Sequence, residues 1–166
     1  MSVTRDILRA WRAPRAVMRG HLRAGVREDR ALAFLMAACL LLFVARWPGE
    51  ARAAYLDPSV PLNARLAGAL LGLLFLAPLI FYALGAVSHL VARLFGGRGS
   101  FYSARLALFW SLLAVSPLAL VQGLLAGFLG AGVALTTSGV AILVAFLVIW
   151  GASLYEAEQD RSAAPA

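Results

Sequence analysis

An all-helical membrane bundle of four spans is what this sequence predicts, and three observations predict it. Of the 166 residues, 62% are hydrophobic and only 14% charged, against roughly 25% charged in soluble domains. The apolar residues fall in runs of the length a helix needs to cross a bilayer, about 20 residues. The arginines are shared unequally between the polar stretches that separate those runs. Mean hydropathy is +0.83. A soluble chain of this size cannot hide so much apolar surface, so lipid must be its solvent.

Residues 1–30 form a polar head. Arg5, Arg9, Arg12, Arg15, Arg19, Arg23, Arg27 and Arg30 follow one another every three or four positions, which keeps them on one face of a helix. Ile7, Trp11, Met18 and Leu22 fall opposite. Pro14 predicts two short helices or a kink, because proline removes a helix hydrogen bond. A basic amphipathic helix with tryptophan on its apolar side lies in the membrane interface. The predicted membrane-surface residues are therefore Arg5, Arg9, Arg12, Arg15, Arg19, Arg23 and Trp11, with anionic lipid headgroups as their partner. Nucleic acid fits less well, because it leaves the apolar face unexplained.

The membrane domain is read over residues 31–155. Its first span, about 31–47, is short and ends on Arg46, which snorkels, and Trp47, which sits at the headgroups. Glu50 to Arg65 reads as a polar loop punctuated by Pro58 and Pro61. The second span, about 66–92, is long enough to require tilt. A loop rich in glycine follows, residues 93–105. Residues 106–155 carry no charge and are too long for one helix. Gly130, Gly132, Thr136, Thr137, Ser138 and Gly139 are read as the turn, giving spans of about 106–129 and 139–155. Residues 156–166 read as a disordered tail.

Four spans put the head, the 93–105 loop and the tail on one side. That side holds twelve arginines and the other three, Arg46, Arg52 and Arg65. Positively charged loops stay inside, so both termini are expected in the cytoplasm. A composition rich in alanine and arginine, without lysine, suits a GC-rich bacterial genome, hence a bacterial inner membrane.

No catalytic, cofactor or metal site is read. His21 and His89 are distant from each other and from any cysteine or carboxylate at ligand spacing. All eight carboxylates lie outside the predicted spans, and His89, near a span end, reads as a headgroup-level residue. The one cysteine, Cys39, rules out an internal disulfide and reads as a small core hydrophobe. Packing features are clearer. Gly68 with Gly72 and Gly123 with Gly127 are each spaced for close helix approach. Pro78 and Pro117 lie mid-span and should kink or locally unwind their helices. Gln122, Ser111 and Ser116 are read as interhelical hydrogen bonders. Gly96, Gly97 and Gly99 predict a left-handed helix end and a sharp reversal, with Ser100 or Ser103 capping the next helix and Phe101 and Tyr102 anchoring the turn at the interface.

That loop, Leu94-Phe95-Gly96-Gly97-Arg98-Gly99-Ser100-Phe101, followed by Phe109-Trp110 and then Pro117, resembles the Ypt-interacting protein (Yip) family. Its bacterial members carry a long second span, a loop near GG-x-GSF, and a third span with an aromatic start and a proline. Pro14 in the head matches a recurrent proline, and Trp150, Leu154 and Glu156 resemble the end of the family's fourth span. The likeness covers about residues 10–158. The family usually has five spans, and its eukaryotic members, similar to adaptors for Rab-type GTPases, carry an acidic segment where this chain has arginines. The resemblance implies a non-enzymatic integral membrane protein. The expectation is thus a membrane scaffold or adaptor that binds lipids, a membrane protein partner or further copies of itself. The rival is a small transporter or channel protomer that works as an oligomer.

Overall fold

The computed structural model describes residues 3–159, and among these no strand occurs. The helices are α1 (Val3–Ala10), α2 (Pro14–Arg23), α3 (Glu28–Leu56), α4 (Leu62–Leu70), α5 (Ala77–Leu94), α6 (Phe101–Phe128) and α7 (Val133–Gln159), with a π-helical stretch at Leu71–Leu76 joining α4 to α5. Four helical runs are long and apolar enough to cross a membrane: α3, the continuous run Leu62–Leu94, α6 and α7.

Pro14 starts α2 at its first turn, where the N–H it lacks has no helical partner to lose. The head is therefore two short helices. The polar loop expected at Glu50–Arg65 is much smaller. Helix α3 continues through Pro48 to Leu56, and only residues 57–61 connect it to α4. A proline inside a membrane helix is tolerated where neighbouring helices support the backbone around it, and α6 does so here, its Gly127 lying against Pro48. The turn before the fourth span is shorter than expected as well. Thr136, Thr137, Ser138 and Gly139 are helical, and the three hydroxyls donate back to carbonyls three or four residues earlier, Thr136 to Gly132 at the end of the turn and Thr137 and Ser138 within α7. Only Leu129–Gly132 turns, with Gly130 at φ +76°. The tail expected to be disordered from Glu156 is helical to Gln159; the rest of it lies outside the described residues.

Helix α6 is the axis of the bundle. Leu106 to Ser116 is buried without interruption, as befits a helix apolar all round. Helix α3 packs along one side of it, α7 along another, and α5 touches it more lightly. Ala31, Phe34, Leu35, Ala38 and the free Cys39 fill the α3 face. The second and fourth spans turn most of their surface outward, including Leu71, Phe75, Leu79, Ile80, Val144 and Val148, the surface that lipid covers.

The two glycine pairs have different fates. A Cβ at Gly123 would overlap the Ala45 carbonyl, and one at Gly127 would meet Pro48 Cβ at 2.6 Å. This pair is the contact face between α6 and α3, where backbones approach because no side chain intervenes. Gly68 and Gly72 meet nothing within 4 Å. The prolines also differ. Pro117 cannot donate to the Leu113 carbonyl, four residues back; the Ser116 hydroxyl donates to that oxygen instead, at 2.8 Å, and α6 stays continuous. Pro78 is the second residue of α5, just past the π-helical stretch, and Leu74, whose carbonyl its missing N–H would have met four residues back, lies inside that stretch. The expected interhelical serines are therefore intrahelical. Ser111 donates to Ala107 O at 2.7 Å and Ser116 repairs its own helix. Gln122 faces α7, where a Cβ at Gly139 would lie 2.8 Å from its Nε2.

Candidate functional site: the clamped glycine loop and the arginine head

Helix α5 ends in a paired hydrogen-bond cap. Gly96 sits at φ +87°, its N–H donates to Arg93 O at 3.1 Å, and the Gly97 N–H donates to Ala92 O at 2.9 Å. This is the Schellman arrangement, which glycine favours because it enters positive φ without steric cost. Helix α6 then starts with a reciprocal cap. Ser103 N donates to Ser100 Oγ at 3.1 Å and Ser100 N donates to Ser103 Oγ at 2.9 Å, a capping box built from two serines. The residues between are ordered from both ends.

The loop is also held from the side. Glu158, near the end of α7, is 7% exposed. Its Oε1 lies 2.8 Å from His89 Nδ1 on α5, and its Oε2 accepts the Gly99 N–H at 3.1 Å. Its main-chain carbonyl accepts the Arg98 N–H at 2.8 Å. His89 is itself 3% exposed and stacks edge-on against Phe101, with centroids 4.5 Å apart. One residue of the fourth span therefore binds the end of the second span and two amides of the loop between the second and third. Gly97 and Gly99 are glycines for want of space, not for backbone angle. A Cβ at Gly97 would lie 2.7 Å from Glu158 Oε2, and one at Gly99 would press on the Ala157 carbonyl. Neither has positive φ.

His89 is thus no headgroup histidine; it is interior because a buried carboxylate reaches it, and burying a polar group is tolerable once it is paired. Tyr102 is likewise buried, at 5% exposure, and its hydroxyl donates to Arg27 O at 3.3 Å; Phe101 is partly exposed. Sequence alone hid the pair, since residues 89 and 158 stand at opposite ends of the membrane domain. The available signal was a lone histidine near one span end and a glutamate near another, on the same predicted side. The outward rim of the loop carries Leu94 and Phe95, 85% and 87% exposed, beside Arg93 and Arg98.

The head folds over this end of the bundle. Val17, Met18, His21 and Leu22 of α2 are buried, and the His21 ring lies 4.4 Å from that of Trp110 on α6 and 5.4 Å from that of Phe34 on α3. Met18 and Leu22, expected to face lipid, enter the protein core instead, because the helix that restarts at Pro14 finds apolar surface at the ends of three spans. Burial, reinforced by the Arg30 charge, lowers the His21 pKa to about 4, so it is neutral at physiological pH. Arg30 leaves the predicted stripe as well. It turns inward to donate to His21 O at 2.7 Å, with Gly25 O and Tyr102 Oη at 3.3 Å.

Arg5, Arg9, Arg12, Arg15, Arg19 and Arg23 remain exposed, with Trp11 at 41%. Two of them have local work. Arg19 pairs with Glu156 at 3.2 Å, and the Arg15 guanidinium lies 4.2 Å above the Tyr155 ring, so both fasten α2 to α7. Arg5, Arg9 and Arg12 share the surface of α1 and its end with Trp11 and the 73%-exposed Leu8. Arg105 pairs with Glu28, tying the start of α6 to that of α3. Among the described residues no cluster of three or more metal-ligating side chains occurs.

The loop, head and fourth-span end thus form one ordered face. Comparison with known proteins fits that extent. No curated protein and no solved structure matches the chain, whereas the Yip1 domain matches residues 8–159, from within α1 to the end of α7. The chain is a multi-pass membrane protein of the Yip1 domain family.

Proposed function

We propose that the chain is a non-enzymatic scaffold or adaptor, set in a bacterial inner membrane with both termini in the cytoplasm. The observation that carries this reading is the clamp. Two chain segments, the end of α5 and the glycine loop, converge on Glu158 of a third, α7, and what they hold in fixed shape is a surface. The rim of that surface presents Leu94 and Phe95 to solvent between two arginines, the apolar-plus-arginine composition favoured at protein contacts. The chemistry-bearing side chains near it are engaged in holding the fold. The partner is a membrane-associated protein or a second copy of the chain, met where the head's Arg5, Arg9 and Arg12 approach anionic headgroups, each basic residue adding about 1 kcal/mol. The arginine imbalance between the two faces supports the cytoplasmic placement.

The test is cross-linking in native membranes, comparing the parent chain with a Leu94→Ser/Phe95→Ser variant, alongside solute flux in proteoliposomes. The adaptor reading expects a defined partner or homo-oligomer lost in the variant, and no flux above empty liposomes. Protein-dependent flux would instead establish the transporter or channel reading, which the π-helical stretch of the second span favours, since irregular helices line pathways in transporters.

A further inference from the structure

At the end of the bundle remote from the head, the helices part around a cleft of about 380 Å³. Its walls are α3, the π-helical stretch, α6 and the start of α7, and Leu42, Leu73, Ala119 and Leu135 make it apolar. Two charges and one amide line it too: Arg46, Glu50 and Gln122. Arg46 and Glu50 pair at 2.8 Å, the arginine side chain 63% exposed and the glutamate 17%. The Gln122 amide makes no hydrogen bond among the described residues.

Depth arranges these groups in an order. Arg46 stands eighteen residues beyond Glu28 in α3, about 27 Å along the axis. A hydrocarbon core is about 30 Å thick, so with Glu28 at the near edge the Arg46 backbone stops about 3 Å short of the far edge, and its long side chain, extending outward, reaches the ester and phosphate level of the far leaflet. Glu50 is four residues further out, about 6 Å, and Leu42 four residues further in. The cleft therefore runs from apolar through cationic to anionic. An aminophospholipid has that sequence: acyl chain, then phosphate, then ammonium.

We propose that this cleft is a binding site for a phosphatidylethanolamine-like lipid of the far leaflet. The phosphate lies against Arg46, the ammonium against Glu50, and a glycerol ester carbonyl accepts from Gln122. Arg46 has five N–H donors and Glu50 two acceptor oxygens; their mutual bond leaves both with capacity for the headgroup. Glu50 sets the specificity. An ammonium donates hydrogen bonds to a carboxylate, a trimethylammonium cannot, and a glycerol headgroup offers no positive charge.

The experiment titrates the full chain in detergent with phosphatidylethanolamine, phosphatidylcholine and phosphatidylglycerol of equal acyl length, and reads bound lipid by native mass spectrometry. Phosphatidylethanolamine is expected to bind about tenfold tighter than either, the ratio that about 1.4 kcal/mol supplies. Glu50→Gln, nearly isosteric, should bring it to the phosphatidylcholine level. Arg46→Gln should weaken all three lipids, and Leu73→Trp, which fills the cleft, should exclude them. Soluble phosphoethanolamine should not displace bound lipid, because it lacks the acyl chain. Equal affinity for the three lipids, a preference for phosphatidylglycerol, a preference that survives Glu50→Gln, or displacement by phosphoethanolamine would each overturn the proposal.

Discussion

Glu158 does with one residue what usually takes several: its two side-chain oxygens bind His89 and Gly99, and its main-chain carbonyl binds Arg98. Truncation to alanine strands His89 Nδ1 and the Gly99 N–H in a buried place, and each abandoned partner costs about 1–3 kcal/mol. Glu158→Ala should therefore melt several degrees lower in detergent, read by tryptophan fluorescence, whereas Glu156→Ala, whose pair with Arg19 is partly exposed, should change little. A melt unchanged in both would mean the clamp contributes nothing. His21 gives a pH prediction. Its folded pKa, about 4, lies below its unfolded value near 6.5, and the neutral ring is the one that fits between Trp110 and Phe34. The stability it confers is complete above pH 6.5 and falls as pH drops towards 4, by about 3 kcal/mol in the limit. His21→Phe should flatten that part of the melting profile. An identical slope in parent and variant would show that other groups set it.

Among the elements, the α3–α6 contact rests on glycine. Gly123→Ala places a methyl on the Ala45 carbonyl, and neither backbone can yield without separating the helices. The variant should lose stability by at least the about 1–3 kcal/mol typical of overpacking, while Gly68→Ala, with open space around it, should match the parent or slightly exceed it. Equal effects of the two would contradict the packing described. Ser116→Ala should cost about 1 kcal/mol by leaving the Leu113 carbonyl unpaired beside Pro117, measured as a shift in detergent melting; no shift would mean that the carbonyl finds another donor. The two glycine pairs look alike in sequence, because the motif records only that close approach is possible. Which helix approaches is a tertiary fact. Likewise Pro117 announces a lost hydrogen bond, but the repair by Ser116 depends on the serine rotamer. The boundary errors share one cause: the sequence marks spans by their uncharged cores, whereas helices continue until a backbone stop. Helix α3 therefore outlasts Arg46 and Glu50 until Asp57 and Pro58, and α7 includes Thr136 and Thr137, whose hydroxyls bond back to the Gly132 and Val133 carbonyls.

For the whole molecule, hydropathy made four membrane-capable helices legible, and Pro14 marked the split head. The loop's glycine end and serine start were legible too, because caps depend on local residues. What lay hidden was everything that joins distant segments: the docking of α2 through Met18 and Leu22, the inward turn of Arg30, and the link between residues 89, 99 and 158. An amphipathic stripe cannot say whether its apolar side meets lipid or protein. Here the answer is divided. Helix α2 packs on the protein, whereas Leu8 of α1 and Trp11 just past its end stay exposed beside arginines. Amide exchange over residues 3–12 should therefore slow in nanodiscs when phosphatidylglycerol replaces phosphatidylcholine, and less so at high salt; equal exchange in both lipids would remove the head from the membrane surface. The central claim is that the fourth span fixes the shape of the glycine loop, and hydrogen exchange across residues 97–103 tests it most directly. The Arg98 and Gly99 amides should be strongly protected in the parent chain, and Gly99 should exchange at least about tenfold faster in Glu158→Ala, the factor that about 1.4 kcal/mol of lost protection produces. A loop that exchanges freely in the parent, or equally in both proteins, would contradict the account.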